Sequence, residues 1–146
     1  RYPWLFKGAY GVYEGKALIL FIPVTVKLRV EVLDFNSTHV KVLYYASVEG
    51  LYTNSTVEWV KLSEGLEYPG ELVKREEREC YVEGIGTRQC IIKTYREKKS
   101  EGVFYIDKAT GWLLRVDLKL EEDFTITLTL KETNIPGLKE LVKGSG

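Results

Sequence analysis

Apolar side chains at every second position of Val24-Thr-Val-Lys-Leu-Arg-Val-Glu-Val32 constrain this chain more than any other feature. Val24, Val26, Leu28, Val30 and Val32 alternate with Thr25, Lys27, Arg29 and Glu31. A helix would spread those apolar groups around its circumference. A strand puts all of them on one face and the polar groups on the other. The pattern returns from His39 to Glu49, with Val40, Val42, Tyr44, Ala46 and Val48 on one side. It returns again in a shorter run around Trp59, and in Trp112, Leu114, Val116, Leu118 and Leu120. Phe124, Ile126, Leu128 and Leu130 then alternate with Thr125, Thr127 and Thr129.

The links between these runs are short and rich in turn formers: Asp34–Thr38, Lys108–Gly111 and Glu121–Asp123. Parallel neighbours need a crossover of a dozen or more residues, so the strands are expected to be antiparallel. The prediction is an all-β fold with minor helix, a single antiparallel meander sheet of about eight to ten strands. It curves into a half-barrel or barrel and carries a short C-terminal helix. Two segments read as helix. Pro69 to Glu79 carries Glu71/Arg75 and Arg75/Glu79 pairs four apart, and Pro136 to Lys143 puts Leu138, Leu141 and Val142 on one face with Asn134 or Ile135 near the cap. Residues 1–146 form one domain, with no repeat or linker. Trp59 and Trp112 fall in phase with the apolar alternation and are assigned to the core. Gly8-Ala-Tyr-Gly-Val-Tyr13 reads as a glycine-spaced strand that bends.

Charge excludes some partners. Lys and Arg number 21 and Asp and Glu 21, so the formal net charge is zero, against a dedicated nucleic-acid or anionic-membrane binder. The apolar run Ala17–Ile22 is too short for a spanning helix. The chain opens on Arg1 and has no methionine, which suggests a piece of a longer precursor. Scarce Asn and Gln with abundant Lys and Glu suggest a hyperthermophile.

Both cysteines lie in Cys80-Tyr-Val-Glu-Gly-Ile-Gly-Thr-Arg-Gln-Cys90. Folded as a hairpin about Ile85, this stretch sets Cys80 opposite Cys90 and Glu77 opposite Lys93. That arrangement suits a disulfide. This extended reading competes with the helical reading of 71–79. A redox pair would favour Cys-x-x-Cys, and zinc would need ligands beyond His39, the single histidine. Reduced, inert thiols are the alternative. Asn36-Ser-Thr38 and Asn54-Ser-Thr56 are sequons, read as glycan sites between strands, at Asn36 and Asn54. With the disulfide they point to an extracellular or cell-surface location. The tip Gly84-Ile85-Gly86 is a candidate contact finger.

No nucleophile elbow, phosphate loop or metal-spaced cluster is present in the sequence. No catalytic residue, metal or other cofactor is therefore expected. Glu76-Glu77 and Glu121-Glu122-Asp123 read as solvated charge runs. Tyr105-Ile-Asp-Lys-Ala-Thr-Gly-Trp-Leu-Leu-Arg-Val116 resembles a strand–turn–strand of surface proteins of thermophilic archaea. It is also similar to a hairpin of the lipoprotein-carrier (LolA/LppX-like) fold. That resemblance implies a curved antiparallel half-barrel that holds acyl chains. The leading expectation is a non-enzymatic extracellular module of an archaeal cell surface, an ectodomain or a subunit of a filament or surface layer. Its partners would be copies of itself or another surface protein. The alternatives are a carrier whose apolar cavity is lined by residues such as Phe21, Leu28 and Trp112, and a carbohydrate-active enzyme.

Overall fold

The computed structural model describes residues 2–63, 65–66, 68–120 and 124–143. The strands are β1 (Tyr10–Ile19), β2 (Ile22–Phe35), β3 (His39–Val48), β4 (Tyr52–Ser63), β5 (Gly65–Leu66), β6 (Glu71–Val82), β7 (Gly86–Glu97), β8 (Ser100–Asp107), β9 (Leu113–Leu120) and β10 (Phe124–Thr133). A helix α1 (Lys139–Lys143) follows. Nine strands are long, and the two-residue β5 only extends the edge at β4. Every pairing is antiparallel, in the order β5-β4-β3-β2-β1-β10-β9-β8-β7-β6. Two meanders thus join where the first strand pairs with the last. The resulting sheet is an antiparallel half-barrel with a short C-terminal helix, as the alternation predicts.

The alternating residues of β2 and β3 become the inner face, with Leu28 beside Tyr13, and Val30 between Gly11 and Tyr44. Burial along that face is graded. Val30, Val32, Val40 and Val42 are buried, whereas Val24, Val26, Leu28 and Tyr44 are only partly so. The full end is plugged by both chain termini. Trp4 is buried between Tyr2 and Trp112, with ring centroids 5.0 and 5.4 Å away. Ile135, Leu138 and Val142 close the same core from the C-terminal side. The bend expected in the glycine-spaced strand is a register shift between Val12 and Tyr13. Close approach demands glycine further along: a Cβ on Gly15 would stand 1.9 Å from the Thr127 carbonyl oxygen.

Four expectations need correction. Residues 71–79 are strand, because β6 has a full-length partner in β7, and backbone pairing outweighs four-apart charge pairs. In the extended chain the charges pair two apart instead, Arg75–Glu77 at 2.9 Å and Arg78–Glu76 at 3.0 Å. Trp59 is 51% exposed, since it pairs with Lys41 on the outer face, and Val60 pairs with the buried Val40 instead. Asn54 lies within β4, not between strands. Asn134 is no helix cap: its side chain accepts from Tyr10 N–H and donates to Gly8 C=O, and α1 begins only at Lys139. The turn at 121–123 lies outside the described residues.

Candidate functional site

A cavity of about 660 Å³ occupies the partly filled inner face. Tyr13 of β1, Leu28 and Val30 of β2, and Tyr44 of β3 form one wall. Phe104 of β8 and Val116 and Leu118 of β9 form the other, with Trp112 at the plugged end. Tyr68 and Pro69, between β5 and β6, also line this space. Tyr68 stacks on Phe104 at 4.0 Å and meets Tyr95 edge-on at 5.8 Å. Trp59, Glu58 and Lys61 of β4 stand on the lining near the open edge. Strand alternation explains this composition, because inner-facing positions such as Leu28, Val30, Tyr44, Val116 and Leu118 are aliphatic or aromatic.

Three phenols join Thr56, Glu58 and Lys61 as the polar groups of the lining. The Tyr13 hydroxyl donates to the Leu113 carbonyl at 2.7 Å. Burial holds its pKa well above the ordinary phenol value, with Tyr68 adding to the effect. Burial also raises Tyr68 strongly, reinforced by Tyr44 and Tyr95. Tyr44 is pushed up to about 12, by burial first and then by the Glu58 carboxylate. All three are therefore neutral at physiological pH and can donate as well as accept. The buried Trp112 indole N–H lies beside the Tyr13 hydroxyl, close to Gly11, without an acceptor in hydrogen-bond geometry. The arrangement suits an apolar body with one oxygen-bearing end.

Leu28 and Trp112 line this cavity as expected. Phe21 does not: it is 95% exposed at the β1–β2 turn. Among the described residues, no three His, Cys, Asp or Glu side chains converge to hold a metal.

Cys80 and Cys90 are joined in a disulfide with Cα atoms 6.0 Å apart. They are diagonal, not directly opposed, since Cys80 faces Arg88 and Cys90 faces Arg78. The turn is centred on Gly84, with Val82 paired to Gly86, because both glycines take positive φ, 83° and 105°. Glu77 consequently faces Ile91, and Lys93 faces Arg75. Glu77 instead bonds Lys108 at 2.8 Å, which with Arg75 keeps its carboxyl below the usual range. At the tip, Ile85 packs back on the core.

The Asp107–Gly111 turn, where the sequence resemblance lies, is tied to the stapled hairpin. Arg88 Nε and Nη2 donate to the Asp107 carboxylate at 2.9 and 3.1 Å. Thr110 donates to the same group through its N–H at 3.1 Å and its hydroxyl at 2.7 Å. Gly111 takes φ of 78°, under the Tyr2 ring. The two sequon asparagines are both exposed and lie apart. Asn36 Oδ1 organises its own turn, accepting from Thr38 N–H at 2.9 Å and His39 N–H at 2.8 Å.

The sequence reading missed the outward-facing β1–β2 turn. Leu20 and Phe21 both have positive φ, 52° and 66°, where two-residue hairpins favour Asn-Gly. The left-handed conformation costs roughly 1–2 kcal/mol per non-glycine residue. The available signal was Ala17–Ile22, an apolar run without alternation or turn formers, within an uncharged stretch bounded by Lys16 and Lys27.

Fold and site together define an antiparallel half-barrel with an apolar inner cavity and a disulfide-stapled edge hairpin. The chain matches no protein-family model, no curated protein and no solved structure.

Proposed function

We propose that the protein is an exported, non-catalytic β module that binds a hydrophobic ligand on the inner face of its half-barrel. The observation that carries this reading is the cavity of about 660 Å³. Ligand sites fall in the range of roughly 300–1,000 Å³ with apolar walls and few polar groups. Protein interiors otherwise close-pack, and an unfilled apolar space weakens them. The neutral hydroxyls of Tyr44 and Tyr68 would meet the ligand's polar end, while Leu28, Phe104 and Leu118 contact its chain. The likeness of residues 105–116 to lipoprotein carriers supports an acyl-bearing ligand. Export is supported by the Cys80–Cys90 disulfide together with the sequons at Asn36 and Asn54.

The test is titration with N-phenyl-1-naphthylamine, a neutral fluorophore, and its displacement by hexadecanoate. The native protein should bind both, and Leu28→Trp and Leu118→Trp, which fill the cavity, should bind at least tenfold more weakly with melting temperatures kept. No probe uptake, or equal uptake by both variants, refutes the reading. A second reading, a subunit of a surface assembly, is favoured by β4, whose free edge exposes Val57 and Trp59 to strand addition. Protein that takes up no probe but self-associates through that edge would support it instead.

A further inference from the structure

We infer that the β1–β2 hairpin tip is a finger that inserts into the hydrocarbon of a lipid bilayer. β1 pairs with β10 only as far as Glu14, and the last bond of β2 on the β3 side is from Glu49 N–H to the Thr25 carbonyl at 2.9 Å. Beyond those points the two strands bond each other, through Ala17–Val24, Leu18–Pro23 and Ile19–Ile22. The hairpin therefore parts from β10, which stays with β9 as far as Phe124, and projects past the end of β3. Pro23, which has no N–H to give, sits where β3 no longer reaches.

Burial changes abruptly along this projection. Ala17 is buried, whereas Leu18 is 66%, Leu20 86%, Phe21 95% and Ile22 62% exposed. From Ala17 to Val26 there are ten residues without a charge, and Lys16 and Lys27 bracket them. At strand rise, the tip stands roughly 10 Å beyond Ala17, within the roughly 15 Å depth of one hydrocarbon leaflet. Tyr52, exposed on β4, is in register with Val48 and through it with Val26. A tyrosine and two lysines thus ring the base of the finger, where headgroups would lie. Lys27 pairs with Glu14 at 3.1 Å and Lys16 bonds the Thr25 hydroxyl at 3.0 Å, which holds both ammonium groups at headgroup level, and the aromatic ring suits the interface.

Area argues against a protein partner. The four exposed side chains present on the order of 600 Å², taking about 200 Å² for a residue of this size. A stable complex buries roughly 800 Å² per partner. The apolar area here is also wrapped around a point, so a folded surface would reach only one side of it. Fluid acyl chains surround it. The strained Leu-Phe turn agrees, because the residues that suit this turn locally are absent from it. The inference does not depend on the cavity being occupied.

Flotation of the purified protein with vesicles of phosphatidylcholine, and of phosphatidylcholine with one-fifth phosphatidylglycerol, tests it. Leu20→Asn with Phe21→Gly supplies the preferred turn and removes the apolar tip, so its folding is not at risk. The native protein should float with both vesicles, and the double variant should partition at least tenfold less with an equal or higher melting temperature. Phe21→Trp should add emission that shifts to the blue with vesicles and is quenched by brominated acyl chains. Native protein that stays unbound, a double variant that floats like native, or an unshifted emission from the Phe21→Trp variant overturns the inference. So does self-association that the double variant abolishes in the absence of vesicle binding. Probe uptake by the double variant should remain native, which separates this test from that of the cavity.

Discussion

Truncating Asp107 to alanine attacks the joint between the stapled hairpin and the turn that carries the sequence resemblance. The carboxylate is 1% exposed and receives four hydrogen bonds, two from Arg88 and two from Thr110. Its loss strands the Arg88 guanidinium, whose side chain is three-quarters buried, and the Thr110 N–H. Removing one partner of a buried pair costs about 3–5 kcal/mol, because the remaining charge stays desolvated. For a domain of this size that is a fall of roughly 10–15 °C in melting temperature. Asp107→Asn should fall between native and alanine, since an amide oxygen can still serve Thr110 while its NH₂ opposes an Arg88 donor. Arg88→Ala with Asp107→Ala should cost clearly less than the sum of the singles, by about 1.5 kcal/mol or more. Urea unfolding at pH 7 with the disulfide intact, followed by tryptophan fluorescence, measures the native protein, the three single variants and the double variant. A single alanine variant within about 1 kcal/mol of native, or strict additivity, would refute the assignment of this cluster as a coupled, desolvated unit.

Two further outcomes follow from the same structure. Reducing Cys80–Cys90, or replacing both by serine, should lower stability by about 2.7 kcal/mol from loop entropy; an unchanged urea midpoint would contradict that. Tyr44 has a folded-state pKa raised to about 12, so its contribution is complete below pH 10 and is lost as pH rises from 10 towards 12. Tyr13 and Tyr68 are shifted in the same direction. Phenolate absorbance at 295 nm should therefore show these three silent until the fold opens at alkaline pH, and Tyr44→Phe should flatten the decline. Simple titration of all ten tyrosines near pH 10 would contradict the buried placement.

Much of the fold is legible residue by residue. The Val24–Val32 alternation identifies β2 and its inner face, and short links identify antiparallel neighbours. The errors come where a neighbour decides. Local alternation assigns Trp59 to the core, yet its register opposite Lys41 puts it on the outer face, and Val60, opposite Val40, takes the inner one. Phe21 belongs to an apolar run, but β3 ends before reaching it and β10 has by then left β1 for β9 alone. The cysteine pairing stands, while its register shifts by two residues. Counting inward from the cysteines centres the hairpin on Ile85, whereas positive φ at Gly84 and Gly86 centres it on Gly84. The turn, not the staple, sets the register.

The cavity is legible only as an option, from Leu28 and Trp112, because nothing local states how fully an inner face is packed. Strand type and inner-face assignment follow from the amino-acid sequence by itself, since both are period-two properties of adjacent residues. The disulfide partners follow too, as there are only two cysteines. Tertiary structure alone decided that β1 would pair with β10 across more than a hundred residues, leaving β4 and β6 as separated edges. That pairing fixes the curvature, the space left between the walls, and the point beyond which the β1–β2 hairpin stands alone. Each depends on side-chain volumes and backbone partners far apart in the chain, where local alternation carries no information.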